Sequence, residues 1–422
     1  MATERKKVIS IGGDYGDADI TRVQAIVDHP DFQRLQSLGQ LTPLNLVFPG
    51  ATHTRFTHCL RVFDRVRRSS RFVDQGILTS DDHLNLSIYG LCHDIFHGPF
   101  SHLLEPLYPD DHDAYAKRAI GRLADAIARC GGNYEAVRAL FARTDQRYKI
   151  VHDKNVGIEK LDYLYYDTFY CGYGGRPEVN ALYDYANFLP DVGEMSIDIA
   201  RAEELKAFQE AYVRTYKQIY FRKQSVILTR LFQKMGALVL NSGAAVETMR
   251  HWTDDEFLGY AAFAKDPMLQ ALYAAYRERR IPKVAVSLRP PNEAILEPTQ
   301  GKKMWVQAVY KEKLAEFCGW DIPRITAAER DIAAITGFLP HQILLVTQMR
   351  PDRFVPKDII VTDKNERYHL AEMYPRHFEN LREIAESTLF VRVAVLSDDE
   401  SGRERVFRAA EEIIKYLLET AR

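Results

Sequence analysis

Helical period dominates the first 250 residues. Between 21 and 41, Val23, Ile26, Val27, Phe32, Leu35 and Leu38 recur at three- and four-residue spacing, which predicts amphipathic helix. Pro30 interrupts the run and divides it into two short helices. The same period predicts helices over 56–78, 85–97, 113–130, 134–143, 157–171 and 203–240. Gly98-Pro99 closes the second of these, because proline disfavours the helical conformation of the residue before it. Ahead of them, IGGDYGDADI predicts a strand and turns.

The texture changes near residue 281. KVAVSL at 283–288, the apolar run at 343–346 and FVRVAVL at 390–396 predict strands. Helical stretches separate them, clearest over 404–418, where Val406, Phe407, Ala410, Ile413, Ile414 and Leu417 share one face. The expected fold is mainly α: a helical unit over 1–280 and an α+β lobe over 281–422.

With 422 residues, 46% of them hydrophobic, the chain can bury a large core. The 56 basic and 58 acidic side chains nearly cancel, which excludes a globally basic nucleic-acid binder and leaves room for a local basic pocket. No run approaches the roughly 18 apolar residues of a membrane span. MATERKKVIS lacks the apolar stretch of a secretory signal. Five scattered cysteines, with no CxxC, predict reduced thiols in the cytoplasm.

The chemistry concentrates in His53, Arg55, His58, His93-Asp94, His97, His102, Glu105, His112 and Asp113. Imidazoles with carboxylates suit a catalytic divalent metal such as Zn, Mn, Fe or Ni, and the lack of paired thiols argues against structural zinc. His93 and Asp94, near a helix end, can reach one ion. His58 would arrive from another helix and a carboxylate from a third. His97 follows His93 by four residues, so both fall on one helical face. Arg55 precedes His58 by three, placed to grip phosphate oxygens in a bidentate fork. A lone helical histidine usually belongs to a core or a surface. Here Leu91, Ile95, Phe96 and Phe100 mark the segment as buried, and burying several imidazoles without a partner is costly.

Two further segments carry chemistry. In GIEKLDYLYYDTFYCGYG at 157–174, Glu159, Asp162 and Tyr163 share a helical face, with Tyr166 and Asp167 a turn on. That face offers a metal ligand and groups for sugar and phosphate; packed tyrosines on an ordinary amphipathic helix are the alternative. In VRTYKQIYFRKQS at 213–225, Arg214, Lys217, Arg222 and Lys223 alternate with Tyr216, Tyr220 and Phe221. Such interleaving suits a nucleotide or a nucleic-acid single strand, or else a solvated helix over buried rings. No P-loop is present.

HTRFTH at 53–58, CHDIFHGPFSH at 92–102 and KLDYLYYD at 160–167 resemble the HD-domain phosphohydrolase superfamily. Within it they look most like the deoxynucleoside-triphosphate triphosphohydrolases of the sterile-alpha-motif and HD-domain branch, over residues 20–235 and without the sterile-alpha-motif domain. The resemblance implies a helical HD-domain core and a metal held by His58, His93, Asp94 and a fourth carboxylate. Glu159 stands where the family carries aspartate, and Asp162, one turn on, is the alternative. It implies His97 and His112 as catalytic histidines, with Glu105 and Asp113 as their acidic partners. Arg55, His102 and Lys160 match phosphate contacts and Tyr163 a sugar contact. Gln40 and Asp167 match groups on the 3′-hydroxyl, and Leu41 sits where the family crowds the 2′ position. Tyr220 matches a Tyr-x-His motif in which Arg222 replaces the histidine. An effector signature is partial: Asp28 and Gln33 fit, but Gln36 replaces an arginine. The implied reaction takes a nucleotide substrate, dNTP plus water, to deoxynucleoside and triphosphate. A divalent transition metal would serve the site, with Mg on the substrate phosphates, in a homo-oligomer. The alternative is an HD-type phosphodiesterase or nucleotidase acting on nucleoside monophosphates, cyclic nucleotides or short nucleic acids.

Overall fold

The computed structural model describes residues 6–12, 14–296, 303–397 and 399–421. A hairpin of β1 (Val8–Gly12) and β2 (Gly16–Asp19) comes first. Short helices follow, with Pro30 in the first turn of one, where its missing N–H leaves no bond unmade. α1 (Arg55–Arg68) starts at Thr54, whose side chain accepts the Thr57 N–H. α2 (Ser80–Cys92) opens with a reciprocal capping box between Thr79 and Asp82. α1 and α2 pack closely at Gly90, where a Cβ would meet Val66 at 3.2 Å. α3 (His112–Ala119), α4 (Ile158–Tyr170), α5 (Ala202–Thr215) and α6 (Lys223–Asn241) continue the helical series. α7 (Asp254–Phe263) and α8 (Pro267–Arg277) complete it before the lobe.

The helix expected over 85–97 ends at Cys92. Beyond it the chain tightens into three-residue turns, Ile95 N–H to Cys92 O and His97 N–H to Asp94 O. The reason lies in the carbonyls. Pro99 has no N–H to give Ile95 O, and Arg34 Nη2 supplies the donor instead, bonding Ile95 O at 3.2 Å and His97 O at 2.6 Å. His97 therefore reaches the site from a turn, not from the helical face of His93.

The chain also places strands between the expected helices of 157–171 and 203–240, where no element was expected. β3 (Ala186–Leu189) and β4 (Glu194–Asp198) form a hairpin closed through Gly193, whose φ of 65° suits glycine. Beyond residue 281 come β5 (Lys283–Arg289), β6 (Trp305–Ala308), α9 (Ile322–Thr336) and β7 (Ile343–Thr347). β8 (Ile360–Asp363), β9 (Glu366–His369), α10 (Pro375–Ser387), β10 (Val391–Val395), α11 (Glu400–Arg408) and α12 (Ala410–Thr420) follow. One sheet runs β6-β5-β10-β7 and the other β3-β4-β8-β9. In the second, β8 lies parallel to β4, so strand pairing crosses residue 280. The first sheet is covered on both faces. Val286, Val391 and Val393 pack with Ile332 of α9 and Ile413 of α12, while Val284, Leu344 and Ala394 join a core with α6 and α8. Among the described residues the molecule is thus mainly helical, with two small mixed sheets beside the β1–β2 hairpin. Among the described residues, no helix is long and apolar enough to cross a membrane.

Candidate active site

α1 delivers His58 and the end of α2 delivers His93 and Asp94. All three are buried, and one ligand atom from each lies within 4.8 Å of the others. Their outer hydrogen bonds assign the tautomers. His58 Nδ1 donates to Asp162 Oδ2 at 2.7 Å, and that carboxylate is held ionised against its burial by Arg61, whose Nε lies 2.9 Å from Oδ1. His93 Nδ1 donates to Gly90 O at 2.8 Å, and a carbonyl can only accept. Burial also holds His93 below its ordinary range, so this ring is neutral. With both rings neutral, each Nε2 keeps a lone pair, and the two atoms face each other at 3.2 Å. In that state neither has a hydrogen to share, and a shared cation would resolve the conflict; 3.2 Å suits two ligands of one ion at metal–nitrogen bonds of about 2.0–2.1 Å. A carboxylate and a carbonyl behind the ligand histidines is the usual second layer of such a site.

Asp94 is the hub. Its Oδ1 lies 3.5 Å from His93 Nε2 and 3.2 Å from His97 Nε2, and its Oδ2 lies 3.7 Å from His58 Nε2. Arg55 bonds Oδ2 through Nη1 and donates from Nε to Ser101 Oγ at 2.7 Å. Burial opposes ionisation of Asp94, but Arg55 and the histidines outweigh it and hold the carboxyl well below the usual range. Arg55 therefore stands beside the His58–His93–Asp94 group with its guanidinium buried and donors directed at Asp94 and Ser101.

A second group abuts the first. His97, His102, Glu105 and His112 converge, with the His97 and His112 rings stacked 3.9 Å apart. Glu105 bonds His112 Nδ1 at 2.7 Å and His102 Nδ1 at 3.1 Å. Burial disfavours charge on His112, but Glu105 overcomes it and pushes the imidazole up to about 9. His97 moves the other way: burial, Arg55 and His112 hold it well below its ordinary value. The stacked pair thus combines a protonated ring with a neutral one, the arrangement of a proton donor beside a neutral partner. His102 is the most exposed of the three, with 59% of its side chain open to approaching solute. Asp113 pairs with Arg143 at 2.5 Å, its Oδ1 3.8 Å from His112 Nε2.

At the other end, Asp167 of α4 accepts from His53 Nε2 at 2.8 Å and from Tyr220 Oη at 2.5 Å. The backbone of 38–40 runs beside 53–55, with Arg55 N–H on Leu38 O and Gln40 N–H on His53 O. This places Gln40 and Leu41 next to His53, and Gln40 Oε1 is buried with no partner.

No protein-family model matches the chain. It is 44% identical over 84 residues, 19% of its length and 14% of the relative's, to the deoxynucleoside triphosphate triphosphohydrolase SAMHD1 of Gallus gallus. It is 29% identical over 223 residues, 48% of its length, to the uncharacterized protein YwfO of Bacillus subtilis, of which that match spans 50%. The chain thus spans half or less of the curated relatives it matches. Its fold superposes on a crystal structure titled as a phosphohydrolase from Bacteroides thetaiotaomicron. The TM-score is 0.70 at 19% identity, covering 93% of this chain and 100% of that one. The chain is thus similar to HD-domain proteins and dNTP triphosphohydrolases over parts of its sequence, and to a phosphohydrolase in its fold. The HD dipeptide that gives the superfamily its name is His93-Asp94.

The HD-domain frame also shows what sequence reasoning missed. Glu159, in the first turn of α4, has its carboxylate closed on His152 and stands apart from the triad, though charge on His93 and Asp94 still reaches it. Asp162 spends both oxygens on His58 and Arg61, so it orients a ligand. Arg61 lies one turn after His58, a spacing that could have revealed it. His53 and Ser101 sat inside recognised motifs but carried no role. Lys160 bonds Lys154 O, lies 4.0 Å above the Tyr212 ring, and is pushed down by burial to about 8. Tyr163 joins Tyr212, Tyr216 and Tyr220 in a half-buried group, and its burial together with these neighbours drives its hydroxyl well above the usual range. The basic–aromatic segment divides. Tyr220 faces Asp167, while Lys217, Arg222 and Lys223 line a separate cleft of about 160 Å³ with Arg289 and Arg392.

Proposed function

We propose that this HD-domain chain hydrolyses deoxynucleoside triphosphates to deoxynucleoside and inorganic triphosphate. The observation that carries the reading is one run of groups: the His58–His93–Asp94 triad, the Glu105-linked histidines beside it, and Asp167 held by His53 and Tyr220. The 44% identity with an enzyme named for this reaction adds support. His58, His93 and Asp94 would hold a divalent cation of the Zn, Mn, Fe or Ni class, with Glu159 as fourth ligand after release from His152. When bound, that ion supplies Lewis acidity toward a phosphate oxygen and lowers the pKa of a water molecule. Arg55, His102 and Lys160 bind the phosphates and balance charge as it grows, usually the largest catalytic term. His112, kept protonated by Glu105, gives its proton to the leaving 5′-oxygen. His97 and Asp113 hold it in place. Asp167, Gln40 and Tyr220 meet the sugar edge, Leu41 excludes a 2′-hydroxyl, and Tyr163 packs on the sugar.

Residues 1–280 would form the catalytic unit and 281–422 a lobe of a homo-oligomer, with Mg accompanying the substrate phosphates. Five free thiols suit the reducing cytoplasm. A second reading, an HD-type nucleotidase or phosphodiesterase, is favoured by one observation. Arg222, at the family's histidine position, lines the basic cleft and leaves the sugar edge without that group. Incubation with dNTPs and Mn or Mg, followed by product analysis, separates the two. Inorganic triphosphate supports the first reading. Orthophosphate or nucleoside monophosphate refutes it in favour of the second.

A further inference from the structure

Residues 250–254, which lead into α7 and end on its first residue, lie against the turn that carries His97 and His102. Asp254 is buried there. Its Oδ1 accepts the Phe100 N–H at 2.8 Å and its Oδ2 accepts the Gly39 N–H at 2.9 Å. These amides belong to different ends of the site. Phe100 precedes Ser101, which bonds Arg55, and His102. Gly39 precedes Gln40 and Leu41 and is bridged to Thr54, the residue before Arg55. Two residues before Asp254, Trp252 O accepts Arg34 Nη1 at 3.0 Å, and the same guanidinium holds the carbonyls of Ile95 and His97. At Gly98 a Cβ would meet Arg250 O at 3.4 Å, so the turn lies flat on this segment.

The turn itself is strained. Phe100 and Ser101 have φ of 55° and 54°, values that non-glycine residues keep only where their surroundings impose them. The Phe100 ring is wedged between Phe232 and Phe257 at 4.5 and 5.1 Å, the latter on α7 itself. Packing alone would be served by an apolar side chain. Burial instead pushes the Asp254 carboxyl up to about 6, a cost that an aliphatic residue would avoid. What an aliphatic residue lacks is two acceptors aimed at two separate backbone amides.

We propose that Asp254 is a positioning residue that holds the turn of Ser101 and His102 in register with the segment of Gln40 and Leu41. The groups for the phosphate end and the sugar end of one substrate then keep a fixed spacing. The consequence for turnover rests on the phosphohydrolase reading above; the tethering of the two segments does not.

The test uses the full chain as wild type, Asp254→Asn and Arg34→Lys. Asp254→Asn keeps one acceptor oxygen and turns an NH₂ against the other amide. Amide hydrogen exchange is followed on peptides spanning 36–42 and 97–104, with metal content and dNTP turnover measured alongside. In Asp254→Asn, exchange speeds up in both peptides, metal content stays that of wild type, and kcat falls by about 10²-fold, more than KM rises. Arg34→Lys speeds exchange in 97–104 and lowers kcat, and it carries the comparison if Asp254→Asn does not fold. Wild-type exchange in both peptides overturns the proposal, as does faster exchange with kcat unchanged. A wild-type protein that releases no triphosphate defeats the phosphohydrolase reading, while exchange still decides whether Asp254 tethers the two segments.

Discussion

Replacing Glu105 by glutamine should move the alkaline limb of the pH–rate profile. In the wild type, Glu105 Oε1 lies 2.7 Å from His112 Nδ1, with side-chain exposures of 18% and 15%. Against burial, that contact, with Asp94 and Asp113 adding to it, carries His112 from an ordinary 6.5 to about 9. At roughly 1.4 kcal/mol per pH unit, the net shift amounts to about 3 kcal/mol toward the protonated ring, most of it from Glu105. At pH 8, a group with pKa near 9 is about 90% protonated and one near 6.5 about 3%, a loss of roughly 30-fold in competent enzyme. The assay is kcat/KM for dNTP hydrolysis between pH 6 and 10. Wild type should fall off above about 9, and Glu105→Gln should fall off up to 2.5 pH units lower. Stability follows the same linkage. Because the folded pKa of His112 is raised, its contribution is complete below 6.5 and is lost as pH rises through about 9. Because Glu105 is held far below 4.5, its contribution is present above 4.5 and is lost only in strong acid. The melting-temperature gap between the two proteins should therefore be widest from pH 4.5 to 6.5 and close toward 9. An alkaline limb that stays in place in Glu105→Gln refutes His112 as the proton donor.

Three other outcomes are expected. Asp162→Asn removes the charge behind His58 and should weaken metal binding by about 10–100-fold, read by competition with a chelator. Chelation of the wild type should abolish turnover and added Mn should restore it; activity that survives complete metal removal contradicts the site. In the lobe, Glu329 is fully buried and holds Arg230, Lys234 and the Leu345 N–H, so Glu329→Ala strands two buried cations. Urea unfolding should show a loss of about 3–5 kcal/mol, and a loss under 1 kcal/mol would show the network to be unimportant.

The His58–His93–Asp94 cluster was legible because two of its three members are neighbours in the chain. His93 and Asp94 adjoin, and the apolar residues around them announce burial. The helix ends were less legible, because the stop at Cys92 goes with a distant contact: Arg34 takes the carbonyl of Ile95, which Pro99 cannot serve, and that of His97. β3, β4 and β8 escaped notice for a related reason: four- and five-residue strands show little period, and β8 finds its partner 165 residues earlier, with Thr362 Oγ1 bonding Ile197 O. Asp254 left no signal at all, since its work is done on backbone amides 154 and 215 residues away. Side-chain chemistry clustered within one motif can be read from sequence. Support that one segment gives to the backbone of another cannot.

The account stands on a shared cation. Crystals of the full chain grown with Mn or Zn, measured on both sides of the metal's absorption edge, would locate it. The prediction is one strong anomalous peak within bonding distance of His58 Nε2, His93 Nε2 and an Asp94 oxygen. A map with no peak there, or with the two Nε2 atoms turned apart, would contradict it.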